Sequence, residues 1–569
     1  MALAQINKLS TGKWFKGGEP FIWLNAACVT ISAIAVVALL TLLAVRGFGH
    51  FWPADVMRAS YQLPGEEPRA IVGELVETET VPVEQIRGSG IRIDIDKPFL
   101  QRSLLKVGNR DIYGADFGWL LRDYLKNIEH PPAMMVLERR EWGNFYGELE
   151  QILEAGNSVA DARVDDAVAW PELQRRLQRV DKLHARIEHL EKSEIGSVNY
   201  ALEQLRLSER RLQLDEKSYS AQQLAERRAD IETERAEKEQ QYQQLQSELV
   251  GLYEQANRDS LTARIADGRE VTIPLAKVVR AFRPNEMGVF SKLGFYCAKL
   301  YEFFTDSPRE ANTEGGIFPA IFGTVTMVLI MSVIVTPFGV IAAIYLREYA
   351  KQGWLTQVVR VAVNNLAGVP SIVYGVFGLG FFVYFLGGNI DRLFYPEVAP
   401  APMFGTPGLM WASITLALLT LPVVIVATEE GLSRIPRSLR EGSLALGATK
   451  AETLWRVVLP MASPAMMTGL ILAVARAAGE VAPLMLVGVV KLAPTLPIDG
   501  NMPFVHMERK FMHLGFHIYD VGFQSPNVEA ARPLVYATAL VLVVVIALLN
   551  FSAVALRNRL REKYKSLEM

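Results

Sequence analysis

Apolar residues collect into six long blocks, and a polar stretch of about 250 residues separates the first block from the other five. The first block, 21–45, is uncharged over about 25 residues, enough for a helix to cross a hydrocarbon core. A cleaved secretory leader is the competing reading, because Lys8, Lys13 and Lys16 precede the block. The apolar core is longer than a leader's, and Leu39-Leu40-Thr41-Leu42-Leu43 continues past any small-residue cleavage site, so the pattern predicts an uncleaved membrane helix. The later blocks predict spans over 317–345, 361–386, 409–427, 466–490 and 534–556, with Pro337 and Pro370 inside two of them.

Positive charge orients these spans. The N-terminal tail 1–20 holds the three lysines, and the loop 346–360 holds Arg347, Lys351 and Arg360. The loop after span four holds Arg434, Arg437, Arg440, Lys450 and Arg456, and the tail 557–569 holds Arg557, Arg559, Arg561, Lys563 and Lys565. All fall on one side if six helices cross and both termini are cytoplasmic. The opposite loop, 387–407, has only Arg392, beside Asp391 and Glu397. The expectation is a multi-pass protein of the bacterial inner membrane with residues 46–316 outside, in the periplasm of a Gram-negative cell.

Within 46–316, Leu173, Leu177, Val180, Ile187, Val198, Leu205 and Leu212 approach a 3-4 repeat. A second series is more broken: Leu224, Ile231, Leu245 and Leu252 hold one seam position and Tyr242 and Leu249 the other, while Arg228, Arg235 and Lys238 intrude. Leu214-Asp-Glu-Lys-Ser-Tyr-Ser220 interrupts the two series and offers N-cap serines. An antiparallel coiled-coil hairpin over 166–257 is predicted, with arms of about 40 residues, each near 60 Å. One long solvated helix is the alternative. Short alternating stretches, 264–274 around Asp267-Gly268, 70–76 and 91–95, predict strands. They suggest a small α/β platform made of 46–165 and 258–316.

The whole-chain figures average these unlike parts: 569 residues, 50% hydrophobic, 21% charged, mean hydropathy +0.17. With 59 Lys and Arg against 61 Asp and Glu, a net charge of −2 creates no global field for nucleic acid. The polar region has one cysteine, Cys297, and Cys28 lies in the first apolar block, so the region holds no internal disulfide. No G-x-x-x-x-G-K-[ST], G-x-S-x-G, H-E-x-x-H or C-x-x-C occurs. Only His513 and His517 share an i,i+4 helical face; with no third ligand evident, an ordinary interfacial loop is the better reading.

Two segments carry candidate chemistry. The cytoplasmic loop Ser438-Leu-Arg440-Glu441-Gly-Ser-Leu-Ala-Leu-Gly447…Val457-Val-Leu459-Pro460 reads as helix, turn at Gly447 and second helix, a knob for a partner. In span five, Arg476 and Glu480 sit four residues apart inside an apolar segment, where each charge costs at least ~2.5 kcal/mol on insertion scales. The pair is either a self-satisfied bridge or the lining of an aqueous pathway in which Arg476 meets an anion and Glu480 restrains it.

The loop matches the E-A-A-x3-G-x9-I-x-L-P signature of permease subunits of ABC importers at Glu441, Gly447, Leu459 and Pro460, with Gly442-Ser443 in place of Ala-Ala and Val457 in place of Ile. Asn312-Thr-Glu-Gly-Gly316, Thr336-Pro-Phe-Gly339, Ile344-Tyr-Leu-Arg-Glu348-Tyr349, Pro370-Ser-Ile-Val-Tyr-Gly375, Thr428-Glu429, Pro436 and Ala475-Arg-Ala-Ala-Gly-Glu480 with Ala482-Pro483 resemble the A-type permeases of Pst phosphate importers. The resemblance implies a mainly α chain: a six-helix type I ABC importer permease domain over 317–556 plus the first span, with coupling loop 428–462. It further implies a transport subunit rather than an enzyme, with ATP and Mg on a separate ATPase and no cofactor in this chain. Implied partners are a second permease (PstC-like), two ATPase subunits (PstB-like), a soluble phosphate-binding protein (PstS-like) and membrane lipid, with a phosphate-signalling regulator possible and no nucleic acid. Arg476 and Glu480 would line the pathway, and Arg440, Glu441, Gly447, Leu459 and Pro460 would couple to the ATPase. Another oxyanion, molybdate or sulfate, fits the same arginine, and a membrane-anchored coiled-coil scaffold or sensor is the non-transport alternative. The insert departs from the compact family form, and the resemblance gives it no role.

Overall fold

The computed structural model describes residues 18–525 and 528–564; Lys8, Lys13, Lys16 and Lys565 lie outside the described residues. Among the described residues six helices are long and apolar enough to cross a membrane: Pro20–Phe51, Phe318–Tyr349, Ser371–Phe394, Leu409–Ser433, Lys450–Gly479 and Ala531–Glu562. The second, fourth and fifth spans make the centre of the bundle. Met327, Met331 and Val335 pack there against Leu416 and Leu419 and against Ala473 and Ala477, all buried. Between helices in lipid the packing itself supplies most of the attraction, so small residues bring the backbones close. Gly339 lies on Val424 and Gly469 on Ala427. The first span leans on the sixth, where a Cβ at Gly47 would stand 2.5 Å from the Ala537 nitrogen.

Two spans start and stop elsewhere than expected. The third begins at Ser371, not at 361, because Pro370 caps it in extended conformation (φ −55°, ψ 134°). Residues Trp354–Leu366 form a separate amphipathic helix. Pro370 therefore stands before the span and not inside it; a proline disfavours helix in the residue ahead of it. The fifth span ends at Gly479 instead of running to 490, and it starts as early as Lys450, within the predicted loop. Glu480 is already extended (ψ 136°). Pro483 then opens only the short helix Leu484–Val487.

The insert contains strands and helices, and its platform is built on two antiparallel sheets. β1 (Val56–Tyr61), β2 (Arg69–Pro82), β3 (Phe99–Lys106), β4 (Phe117–Leu121) and β5 (Leu125–Glu129) form one sheet in the order β4-β3-β2-β1-β5. β6 (Met134–Arg139), β7 (Phe145–Glu154), β8 (Asn157–Asp161), β9 (Asp259–Arg264), β10 (Glu270–Pro274) and β11 (Val278–Phe282) form a second in the order β10-β9-β7-β6-β11, with β8 on β7. The Asp267-Gly268 turn joins β9 to β10 as predicted, with Gly268 at φ +85°. Residues 91–95 do not form a strand: Ile91, Ile93 and Ile95 tuck against the core of the first sheet as irregular chain.

Two long helical arms rise between β8 and β9. α1 (Asp166–His189) continues through a wide turn, Leu190–Ile195, into α2 (Gly196–Leu214), and α3 (Ala221–Asn257) returns. Ser220 caps α3 in a capping box with Gln223. The seam residues Leu173, Leu177, Val180, Ile187, Val198, Leu205 and Leu212 are all buried. They serve two surfaces: Leu173, Leu177 and Val180 pack on the second sheet, whereas Ile187 packs with Ala256 of the returning arm. Where charges interrupt the second series, Arg235 pairs with Glu209 on the opposite arm and Arg228 with Glu216 at 3.3 Å.

Candidate functional site

The fifth span delivers Arg476 in its last helical turn and Glu480 just beyond it, so the two charges mark a helix end and bend rather than the middle of a helix. Arg476 Nε stands 3.6 Å from Glu480 Oε1, with side chains 33% and 20% exposed. That separation exceeds a hydrogen bond, and one carboxylate cannot occupy the five donors of a guanidinium. The arrangement is a cation held loosely by an anion at the edge of the bundle core, suited to receiving a second anion.

The third span supports this bend. A Cβ on Gly375 would lie 2.7 Å from Pro483 Cα, so glycine lets the 480–483 bend rest on the helix. Tyr374, next in sequence, is buried within electrostatic reach of Arg476, and its hydroxyl donates to the Leu366 carbonyl at 2.6 Å, closing the Pro370 break. Neither Tyr374 nor Gly375 stood out as a site residue beyond its place in a motif; the relevant signal is a contact between segments a hundred residues apart.

On the opposite end of the bundle the predicted knob is present. Helix Arg437–Ala445 turns at Gly447 (φ +87°) into a helix capped by Thr449, whose hydroxyl accepts from the Glu452 amide. Ser443 Oγ and Thr453 Oγ1, 2.9 Å apart, join the two halves. Leu454 and Val458 anchor the knob on Leu432 and Ile435 of the fourth span and its exit. Glu441 is exposed on the knob, while Leu459 is buried and Pro460 half-buried, both farther along the continuous helix. Arg440 points inward: it donates to the Leu432 carbonyl at 2.7 Å and to Glu348 at 3.0 Å, tying the knob to the second span's end. The most exposed apolar groups here are Leu446, 91% exposed, and Trp455, 74%. The motif letters did not point to these two; apolar residues flanking an exposed turn would have.

Polar contacts join the insert to the loops that follow the third and fifth spans. Asn312, at φ +73° and buried, donates to the Lys491 carbonyl at 3.0 Å and to Asp520 Oδ2 at 2.9 Å. Lys491 Nζ meets the same Asp520 oxygen at 3.2 Å. From the hairpin, Tyr200 donates to the Met502 carbonyl at 2.5 Å, and Arg211 reaches the buried Glu397 at 2.6 Å. His513 and His517 are buried at the start of a short helix, Leu514–Tyr519, not in an interfacial loop. Burial lowers both side chains' pKa, to about 3 and about 4. Among the described residues no group of three or more His, Cys, Asp or Glu could hold a metal ion.

Six spans, three of them packed on a shared apolar core, with a fifth helix that ends in a bend and a knob on one face, define a polytopic membrane permease. Residues 335–562 match the family described as the binding-protein-dependent transport system inner membrane component. The phosphate transport system permease protein PstA of Mycobacterium leprae is 34% identical over 269 residues, 46% of this chain and 79% of that protein. The PstA of Yersinia pestis is 39% identical over 184 residues, 32% of this chain and 56% of its own. A phosphate transport system permease protein PstC of Xylella fastidiosa is 31% identical over 209 residues, 35% of this chain and 64% of its own. A chain of the MetNI methionine ABC transporter in an inward-facing conformation is 20% identical, covering 43% of this chain and 94% of that one, with a TM-score of 0.30. The chain belongs to the binding-protein-dependent permease family, as a PstA-type member. It is a multi-pass inner-membrane transport subunit and not itself an enzyme.

Proposed function

We propose that this chain is the transmembrane half of an ATP-driven importer of inorganic phosphate. The observation that carries the reading is the PstA-type membership of a chain whose bent fifth span presents Arg476 beside Glu480. Arg476 offers an anion transient stabilisation, weak enough for release because Glu480 competes for it. Both termini are cytoplasmic and the insert is periplasmic, as the distribution of Lys and Arg favours.

The knob docks on a separate ATPase, with Glu441, Leu446 and Trp455 at the contact and Gly447 shaping the turn. Arg440 and Leu459 hold the knob on the bundle, and Pro460 sits in the half-buried helix between knob and pathway. ATP and Mg act on that partner, two copies of which are expected. A second, PstC-like permease completes the pathway, and a soluble phosphate-binding protein delivers the ion. Nucleotide binding favours one of two pathway states and hydrolysis the other, so transport is a shift between them.

Labelled phosphate uptake in a strain lacking the gene, complemented with wild type or with Arg476→Ala, tests the pathway. Uptake is lost in the variant while the protein still assembles in the membrane; normal uptake overturns the assignment. Competing molybdate and sulfate in the same assay leave phosphate uptake unchanged if phosphate is the substrate. Glu441→Lys keeps the pathway but uncouples ATPase stimulation from uptake, and unchanged coupling refutes the docking role.

A further inference from the structure

Helix α4 (Val289–Thr305) connects the second sheet to the second span, and its charges face inward. Lys299 donates to Glu138 of β6 at 2.9 Å, Lys292 pairs with Asp55, and Glu302 pairs with Arg309 at 2.7 Å. The opposite stripe, Val289, Phe290, Leu293, Cys297, Tyr301 and Phe304, recurs every three to four residues, is exposed throughout and contains no charge. Phe290 is 90% exposed and Tyr301 72%. A water-facing helix has the reverse pattern, and a continuous apolar stripe marks contact with something apolar.

The height of the helix identifies that contact. Phe303, on its inner side, shares a core with Phe51 at the end of the first span, Ile317 and Ala320 at the start of the second, and Ala531 and Leu534 at the start of the sixth. The Phe51 and Phe303 rings lie 4.9 Å apart, and Trp52 lies 5.9 Å from Tyr296. The helix therefore lies level with the ends of three membrane spans, where Trp and Tyr favour the polar–apolar boundary. The first span, whose end meets the helix at Phe51, is itself apolar and exposed, as at Val37 and Val45.

We infer that α4 is an in-plane amphipathic helix seated in the phospholipid leaflet on the insert side, fixing the height of the second sheet through Lys299 and Glu138. The inference rests on the spans crossing a bilayer and not on the transported ion. The chain has two cysteines, so Cys28→Ser leaves Cys297, on the exposed stripe, as the single thiol. The test uses the full chain with that change, labelled with bimane at Cys297 and held with its co-purifying subunits in phospholipid nanodiscs.

Lipids brominated near the head-group end of the acyl chain should quench the label on the order of twofold, since such helices lie about 5–10 Å into the boundary. Lipids brominated near the methyl end should quench it less. A thiol placed by Val250→Cys on α3, in a chain lacking both native cysteines, should show no quenching. An unquenched Cys297 label, whether bathed in water or shielded by another subunit, overturns the inference, and so does quenching strongest at the methyl end. Phosphate uptake by the same single-thiol chain, measured in parallel, separates this outcome from failure of the transport reading.

Discussion

The spans and the insert bury their polar groups by different rules. In the bundle, ionisable side chains are few and stand at helix ends, as at Arg476 and Glu480, and close approach rests on glycine, as at Gly375 and Gly469. In the insert, charges are buried in quantity and densely paired. Arg176 meets Glu154 and Glu172 at 2.7 Å and Asp259 at 3.0 Å, with Asp259 fully buried. Glu302 receives Lys299, Arg280 and Arg309 together. The second sheet also has an ordinary core of Phe145, Ile152 and Leu173. Lipid tails are as apolar as the helices, so the spans gain stability from contact distance and the insert from apolar burial with satisfied charge. An added methyl group should therefore harm the spans most, and a removed charge the insert.

The largest effect is expected from Glu302→Gln. Burial alone would raise this carboxyl, but Lys299, Arg309 and Arg280 outweigh it and hold it down to about 2. Neutralising it takes the shared carboxylate from Arg280 and Arg309 and leaves Lys299 with Glu138 alone, a loss of about 3–5 kcal/mol for a broken buried pair. Because the folded value lies below the ordinary 4.5, the stabilisation is complete above that pH and disappears as pH falls toward 2. Thermal unfolding of the wild type should show this acid loss, and Glu302→Gln should flatten it while lowering the neutral-pH midpoint. An unchanged midpoint would mean that the insert does not depend on its charge network.

Gly375→Val probes the other rule. Its Cβ would meet Pro483 Cα at 2.7 Å, and overpacking of this kind costs about 1–3 kcal/mol. The bend that carries Glu480 must then move, so phosphate uptake should fall steeply although no charge is touched. Full uptake by Gly375→Val would show that the Gly375–Pro483 contact does not position the Arg476–Glu480 pair.

Much of this contrast is legible in the sequence, and the unreadable parts share a cause. The first, second, fourth and sixth spans lie where the apolar blocks put them, to within several residues at the ends. The third and fifth were displaced because average hydropathy does not register the donor that Pro370 or Pro483 removes. Residues 91–95 alternate correctly but have no neighbouring strand, a property of the fold and not of the segment. The repeat from Leu173 to Leu212 was visible, but its division between a sheet and a partner arm was not, since both surfaces want the same spacing. Arg476 and Glu480 stood out as charges in an apolar block, whereas Gly375 gains its meaning only from Pro483. Arg440 belonged by motif to the coupling surface, yet carbonyls at Leu432 and Ile435 hold it against the bundle.

The smallest effect should come from Arg211→Ala, where insert and spans meet. Arg211 is about half exposed, which weakens its attraction, but its partner Glu397 is 3% exposed and loses its ion pair. An abandoned buried acceptor costs about 1–3 kcal/mol, and the exposure of the arginine puts this case at the low end. Amide hydrogen exchange should rise across residues 200–212 of α2 while the bundle core stays protected. Tyr200→Phe, which removes the donor to the Met502 carbonyl, should add to the effect because the two contacts lie three helical turns apart. If exchange at 200–212 does not change, the hairpin rests on the spans without energetic connection, and the two packing rules apply to separate bodies. If exchange also rises in the 499–509 loop, where Asp499 accepts from Arg509 at 2.6 Å, the contact transmits between them. The second pattern is the expected one, because His506 lies against the Tyr200 ring at 6.0 Å and also pairs with Asp499 at 2.9 Å.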